Sequence, residues 1–436
     1  MPMAIKATGG SPPLDIPRGT RDFGTHDAIR LNNMLSVVEE VFKRHGFSPI
    51  ITPSIEKSEV LSAKAYGEEQ TKEMYFIEGK ESALRFDFTV PLARYMSMNK
   101  DIPLPFRRYQ IGTVWRRDEP QHMRSREFIQ ADVDIVGSAS QLSDFECISA
   151  TMDAIDSIGV STAMLLINSR PILNAIVGHF HVPEPKTIAA IRLIDKMHKT
   201  SVSETVDWLK QLGMQENDAQ EMISFMNMKA TNDEKLEKLE MEIDPAKQEA
   251  QKMKSLLSLL GKADLSGKVA VDLSLARGMD YYTGFVWEVI ISQEGKRLPS
   301  IASGGRYDGL IGMYSKSNLP AVGFSIGISR IFDLQESYSK LKTYSKVLIA
   351  PIGEQSIDYA VSASKAMRNA GIYTDLSVSE KGVSKQLEYA NSLGIRYVAI
   401  VGSREIAQGK VNLRDMQSGQ EELLEIQAAI SKIKGE

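Results

Sequence analysis

From Phe128 to Ile135 the residues sort without a break into two sets. Ile129, Ala131, Val133 and Ile135 fall on one side of an extended chain, and Phe128, Gln130, Asp132 and Asp134, with Arg126 before them, on the other. A period of two is the signature of a β-strand, so the fold around this segment is built on a sheet. Arg107 to Arg116 reads as a second strand, paired with Glu127 to Val136. The polar loop between them, Arg117 to Arg126, is too long for a tight hairpin turn. The outer face of a half-solvated sheet ordinarily carries Lys, Thr and Glu. Two aspartates, a glutamine and a phenylalanine point instead to a surface that meets a ligand.

The rest of the chain sorts into blocks. Leu31, Leu35, Val38 and Phe42 recur at helical spacing from Ala28 to Phe42, Gly46 ends that helix, and Phe47 to Pro53 follows as an extended segment. Ala163 to Ile167 is another strand, and the character changes after Pro171. Residues 172–262 read as helix throughout, with Leu236, Leu239, Ile243, Met253, Leu256, Leu257 and Leu260 as apolar stripes. Strand signals return at Val269 and continue through Ile291, so the helices are inserted into a β-rich domain. Their charge runs read as a solvated face. From Ser345 a βαβαβ unit of about 90 residues begins: strand Val347–Pro351, helix to Ala370, strand at Tyr373, helix Ser384–Leu393, strand Tyr397–Val401. The expected divisions are therefore 1–170, 171–264, 265–340 and 341–436.

Bulk numbers exclude several classes. A net charge of −4 and a pI near 6.0 argue against coating nucleic acid non-specifically. The one cysteine, Cys147, cannot form an intramolecular disulfide and suits a reducing compartment. The six histidines are scattered, and no carboxylate stands at ligand spacing beside His179 and His181. Residues 1–13 lack the apolar run of a signal peptide, and nothing approaches the ~18 apolar residues of a membrane helix. A cytoplasmic protein with no membrane attachment is expected.

Chemistry concentrates in a few segments. The run Arg277-Gly278-Met279-Asp280-Tyr281-Tyr282-Thr283-Gly284 sits between the apolar stretches Val269–Val271 and Phe285–Trp287. That is poor core design and good pocket design for a small, partly ionised molecule. Ala302 to Gly309 is a Gly-rich turn, and Gly323 and Gly327 share one face of an extended segment, where something flat can approach the backbone. Arg116, Arg124, Arg126, Arg277, Arg306 and Arg330 all fall in these segments, and guanidinium forks hold phosphoryl oxygens bidentately. The chain has neither a P-loop nor a G-x-G-x-x-G turn after a strand. Strand arginines, with Phe128 as a stacking surface, supply a nucleotide site of another kind.

Phe106 to Asp118 followed by Arg126 to Asp132 resembles motif 2 of the class II aminoacyl-tRNA synthetases. Pro53 with Glu56 resembles the end of motif 1, and Gly323 to Arg330 resembles motif 3. The runs Arg277–Tyr282 and Ser303–Gly309 resemble the two histidine-specific signatures of the histidyl-tRNA synthetase family, and Leu84–Arg94 is similar to its archaeal and eukaryotic branch. The resemblance extends from about residue 13 to the C-terminus. It implies an α+β fold: an antiparallel-sheet catalytic domain with a helical insertion, plus a C-terminal α/β anticodon-binding domain.

By that resemblance Arg116 would hold the α-phosphate of ATP, Phe128 would stack on adenine, Arg330 would grip the γ-phosphate, and Arg124 would approach the phosphates. Asp87, Thr89 and Gln130 would surround the α-amino group of histidine. Asp134 and Tyr282 would bond the imidazole, Tyr281 would line the same pocket, and Tyr307 would close it. Arg277 matches the family's catalytic arginine, beside the α-phosphate and carboxylate. Asp87 and Asp134 stand where the bacterial form usually has glutamate, and Ser329 where motif 3 often has an acid. Mg²⁺ is implied with ATP, without a nameable protein ligand. The resemblance further implies tRNA as partner, met by the loop Asp118–Ser125 at the acceptor stem (Gln121, His122) and by the C-terminal unit at the anticodon (Lys385, Arg404, Arg414). A two-fold homodimer is expected through the first helix and Pro53. A pocket that bonds both ring nitrogens rejects isosteres strongly, so no editing site is expected.

Overall fold

The structure, a computed structural model, describes residues 14–62, 73–77, 79, 81–121, 123–197, 200–276, 281–293, 296–315, 318–335 and 341–435. Chain contacts gather into two units, Met34–Gln335 with the segment up to Arg21, and Glu336–Glu436 with Asp22–Asn33.

The strands of the first unit are β1 (Ser48–Pro49), β2 (Ile55–Lys57), β3 (Phe76–Ile77), β4 (Ser82–Leu84), β5 (Phe106–Trp115), β6 (Glu127–Val136) and β7 (Met164–Ser169). They continue with β8 (Val269–Val271), β9 (Phe285–Ile290), β10 (Ser292–Gln293), β11 (Lys296–Arg297), β12 (Ala302–Arg306) and β13 (Ala321–Gly327). Among the described residues one eight-stranded sheet runs β1-β5-β6-β13-β12-β9-β7-β8. Its interior pairs are antiparallel; only the margins, β1 on β5 and β7 on β8, are parallel. β5 and β6 pair along their whole length, from Phe106 opposite Val136 to Trp115 opposite Glu127.

The alternation of β6 is as the sequence dictates, but its polar side is not in water. Asp132 and Asp134 are 3% and 2% exposed. β5 and β13 flank them, and Tyr307 and the Asp87 segment close over them. The polar face of this strand is a cavity floor. Ala131, Val133 and Ile135 turn the other way, where the Gln141–Ser157 helix packs on β6 and β13 and buries Cys147, Ile148 and Ile155. That helix starts on Ser140, whose hydroxyl accepts from Leu142 N at 3.2 Å, and stops before Gly159 at φ 87°.

Arg306, the last residue of β12, ties this helix to the sheet. Nε and Nη2 donate to the two oxygens of Asp144 at 3.1 and 2.6 Å. Nη1 donates to Ser138 O at 3.1 Å and Asp308 Oδ1 at 3.2 Å, and Nη2 also donates to Ser140 O at 3.1 Å. A guanidinium has five N–H groups, and all are committed. Grouping Arg306 with phosphate-holding arginines is thus a misreading of the sequence. Its work is structural.

The helical block leaves the sheet after β7 and returns at β8, an adjacent parallel strand with Leu165 opposite Val269. A parallel pair needs a long crossover, and the helices supply it. Helices Val202–Gln211 and Asn232–Glu242 start in capping boxes, Ser201 with Glu204 and Thr231 with Glu234. Of the stripe residues, Leu236, Leu239, Ile243, Met253, Leu256 and Leu260 are buried, and Leu257 is half-buried.

In the second unit β14 (Val347–Pro351), β15 (Thr374–Leu376), β16 (Tyr397–Val401), β17 (Lys410–Asp415) and β18 (Glu421–Glu425) run in the order β15-β14-β16-β17-β18. The first three are parallel and the last two antiparallel. Val347 and Ile349 enter one core and Leu348 and Ala350 another, as a central strand covered on both faces requires. The βαβαβ pattern is present, extended by the β17–β18 hairpin and a final helix, Ile426–Lys434. Among the described residues no helix is long and apolar enough to cross a membrane.

Replacing Arg306 by Met leaves Asp144, 1% exposed, without its counter-charge. A loss of about 3–5 kcal/mol in urea unfolding is expected for breaking a buried pair on one side. An unchanged midpoint and slope would refute this account of Arg306.

Candidate active site

One cavity lies over the shared face of β6, β13 and β12. Its wall includes Asp87, Thr89, Arg116, Arg124, Phe128, Gln130, Asp134, Tyr281, Tyr282, Tyr307 and Arg330. The residues given a role at ATP or histidine therefore meet in one place, except Arg277, which lies outside the described residues, as do Gly278, Met279, Asp280 and His122.

One end of the cavity is cationic. Arg116 follows β5; its Nε donates to Phe86 O at 3.1 Å, and its guanidinium stands 5.3 Å from the Phe128 ring centre. Arg124 donates from Nε to Asp118 Oδ2 at 2.8 Å, and its Nη2 is ion-paired with the same oxygen at 2.7 Å. Arg330, on the Ile328–Leu334 helix, donates from Nε to Met123 O at 3.2 Å and from Nη1 to Ser300 O. Three guanidiniums from separate elements thus surround one space. Ser329 takes no part in this charge: its hydroxyl accepts from Ile129 N at 2.8 Å and holds the helix to β6.

Arg126 is absent from the cavity wall, against the sequence expectation. Its Nε donates to Asp118 O at 2.9 Å, and its backbone N donates to Gly19 O at 2.8 Å. Gly19, at φ +86°, could not carry a side chain there, since a Cβ would lie 2.8 Å from Arg126 Cγ. The segment that begins at Gly19 continues to Arg21, whose Nη1 donates to Asp333 Oδ1 at 2.6 Å while its guanidinium stands 5.3 Å from the Phe332 ring centre. The loop after β5 is closed on itself. Gln121 and Arg124 exchange backbone hydrogen bonds of 3.0 and 2.9 Å. Glu73 stands beside this loop, its carboxyl pushed up by burial and then by Asp118, against the pull of Arg116 and Arg124. No periodicity in the sequence marks Glu73.

The other end is acidic and phenolic. Asp87 Oδ1 accepts from Val90 N at 3.2 Å and so caps the Thr89–Met98 helix. Asp134 Oδ1 accepts from the Tyr307 hydroxyl. Its Oδ2 lies 2.6 Å from Arg108 Nη2, an ion pair without hydrogen-bond geometry. Burial pushes the Asp134 carboxyl up and Arg108 pulls it down; the Tyr307 phenol is pushed up by burial and by Asp134. Tyr281 lies 4.6 Å from Tyr282 and meets Tyr307 edge-on at 5.9 Å.

Glycines make this end possible. A Cβ on Gly323 would lie 1.9 Å from Asp134 Oδ1, and one on Gly305 would lie 2.7 Å from Tyr282 Cδ1. Gly323 lines the cavity and is itself approached closely by the Asp134 carboxyl.

Two residues of this end carried no assigned role in the sequence. Asp132 lines the cavity, its Oδ1 makes no hydrogen bond, and its carboxyl is pushed up to about 7, by burial first and by Asp134 and Asp87 against Arg108 and Ser325. Alternation along β6 was the available signal. Arg108 is wholly buried; Nη2 donates to Phe88 O at 3.2 Å, and Nε and Nη1 make no hydrogen bond.

Among the described residues no three His, Cys, Asp or Glu side chains gather to hold a metal ion. In the second unit Lys385 pairs with Glu388 at 2.6 Å and Arg414 with Glu421 at 2.8 Å, while Arg404 is exposed.

A family description for histidyl-tRNA synthetase matches residues 19–331, and one for an anticodon binding domain matches residues 346–436. The chain is 35% identical over 430 residues to the histidine–tRNA ligase of Aeropyrum pernix, covering 96% of this chain and 97% of that one. It is 34% identical over 421 residues to that of Clostridium tetani, covering 94% and 95%. Among solved structures it is similar to the histidyl-tRNA synthetase of a Nostoc species, with a TM-score of 0.84, 27% identity, and 97% and 99% of the two chains covered. The fold is that of a class II synthetase, a catalytic sheet with a C-terminal anticodon-binding domain, and the chain belongs to the histidyl-tRNA synthetase family.

Proposed function

We infer that this chain is a histidine–tRNA ligase: it activates histidine with ATP to histidyl-adenylate and pyrophosphate, then transfers histidine to the 3′ end of its tRNA. The observation that carries the reading is one cavity with Arg116, Arg124 and Arg330 at one end and Asp87, Asp134 and three tyrosines at the other. Activation brings the histidine carboxylate against the α-phosphorus, two like-charged groups, and expels pyrophosphate. Arg116 stabilises charge on the α-phosphate as the carboxylate attacks in line, Arg330 holds the γ-phosphate, and Arg124 meets the phosphates from the loop. Adenine stacks on Phe128. Arg277 acts beside the α-phosphate and carboxylate, by the family pattern alone. Thr89 and Gln130 join Asp87 at the α-amino group, and Asp134 with Tyr282 meets the imidazole.

Mg²⁺, bound through the ATP phosphates, would lower their negative charge there. The division into a catalytic domain (1–170 and 265–340), a helical insertion (171–264) and an anticodon-binding domain (341–436) is part of the same reading. So are a cytoplasmic location, the archaeal and eukaryotic branch suggested by Leu84–Arg94, and acceptor-stem contact by the Asp118–Ser125 loop. A two-fold homodimer is supported by apolar side chains left exposed around the first strands, among them Ile51, Ile55, Met98 and Leu104.

Four outcomes are expected. ATP–pyrophosphate exchange proceeds with histidine and none of the other nineteen amino acids, and Arg330→Ala lowers its kcat/KM about 100-fold. A folded protein that exchanges with none of them would sink the reading in favour of a non-catalytic regulatory relative. Gln121→Ala slows transfer to tRNA about ten-fold, the scale of one lost hydrogen bond, and leaves exchange intact; equal loss in both steps removes the loop's role. Sedimentation at micromolar concentration gives a dimer, and a monomer there refutes the assembly.

A further inference from the structure

We propose that Arg108 is a positioning residue of the amino-acid pocket: it ties the segment that meets the α-amino group to the acid that meets the imidazole, and so sets the distance the pocket accepts between those two groups. The proposal rests on the histidine reading of this cavity and adds a residue behind its wall. A single nitrogen makes the tie. Arg108 Nη2 donates to Phe88 O at 3.2 Å and stands 2.6 Å from Asp134 Oδ2. Phe88 lies between Asp87 and Thr89, which line the cavity, as does Asp134 on β6. Arg108 itself is wholly buried and is absent from the wall.

The Asp87 segment hangs between two arginines, one on β5 and one just after it. Arg116 Nε holds Phe86 O at 3.1 Å, and Arg108 holds Phe88 O, one residue to either side of Asp87. Asp87 Oδ1 in turn caps the Thr89–Met98 helix through Val90 N at 3.2 Å, so a shift of Phe88 carries Asp87 and Thr89 with it. On β6 Asp134 is fixed as well. Tyr307 holds its Oδ1, and Gly323, its neighbour on β13, admits that oxygen only because it lacks a Cβ. An ionised carboxylate has about four lone-pair directions, so these contacts leave room for a ring N–H.

The rest of the guanidinium shows what Arg108 is not for. Its Nε and Nη1 make no hydrogen bond, whereas Arg306 commits every donor it has. A wholly buried cation with donors left over is poor structural glue, because desolvation penalises it and hydrogen bonds offset only part. What it supplies is a charge and one bridging nitrogen, placed by the pairing that sets Arg108 opposite Asp134. Burial works against an ionised Asp134, and Arg108 works for it. Lysine would keep that charge and lose the bridge. Its nitrogen ends one bond short of Nη2, on a stem without the planar fork.

The test is ATP–pyrophosphate exchange by the full chain and by Arg108→Lys, with histamine as a competitor against histidine. Histamine carries the amine and the ring without the carboxylate, so it reads the two tied groups alone. The variant is expected to raise the histidine KM about ten-fold, the scale of one lost charge-assisted hydrogen bond, and to leave the ATP KM unchanged. The histamine inhibition constant should rise by the same factor. A merely structural role would lower the urea midpoint and leave both KM values alone. A histidine KM within about two-fold of native, an equal rise in the ATP KM, or a histamine constant that does not follow the histidine KM would each overturn the proposal. So would native protein indifferent to histamine, since a pocket set at both ends must hold a ligand that carries both groups. If Arg108→Lys does not fold, Arg108→Gln joined to Asp132→Asn removes one charge of each sign and serves in its place, with the same outcomes expected. Histidine-dependent exchange by native protein separates the two levels. Its absence ends the functional reading, while its presence with an indifferent Arg108→Lys ends only this one.

Discussion

A guanidinium with no access to water stands beneath the acidic end of the cavity. Removing a cation of that size from solvent costs several kcal/mol unless an anion stands against it. Arg108 has Asp134 at 2.6 Å and Asp132 on the same strand. The arrangement follows from register, because β5 and β6 pair with Arg108 opposite Asp134. A slip of one residue would turn the arginine to the helix side, among Val133, Ile135 and Ile148, and leave both aspartates uncompensated. The hydrophobic alternation of β6 and the electrostatics of its polar face thus demand the same register, and the remaining strands are laid against a pair that can close in one way.

The cavity built on this pair is electrically divided. Its cationic end uses arginines from a loop, a strand end and a helix, each held through backbone or carboxylate contacts at the cavity's rim. The opposite end is dense with acids and phenols already bonded to one another. The first can accommodate a ligand of high negative charge by small side-chain movements. The second is pre-set, since Gly323 and Gly305 leave no slack around Asp134 and Tyr282. A nucleotide held loosely and a side chain held rigidly suit an enzyme that must accept a common cosubstrate and reject nineteen near neighbours.

Much of this was legible in residue order. The period of two in β6, the helical stripes around Leu239 and Leu256, and the β14–β16 pattern each depend on neighbours within one element, and each appears in the fold. What was not legible depends on partners far away in the chain. Arg306 looks like any arginine in a Gly-rich turn until Asp144, 162 residues distant, takes two of its donors. Arg108 and Arg107 are adjacent and alike in sequence, yet one is buried beneath the cavity and the other pairs with Glu146 on the opposite side of the strand. Loop closure by Gln121 and Arg124 escaped notice because it uses backbone groups, which no side-chain pattern announces.

The segment from Gly19 to Arg21 sets the order in which the site can come into being. Gly19 meets Arg126, and Arg21 meets Asp333, 312 residues later. During synthesis the first of these partners emerges early and the second only after the helical block and the last strand of the sheet have been made. The earliest described part of the chain therefore waits, half-anchored, for nearly the whole unit to leave the ribosome. A partly made chain has the acids of β6 without Arg330 of the Ile328–Leu334 helix, so a truncated product can hold no complete nucleotide site.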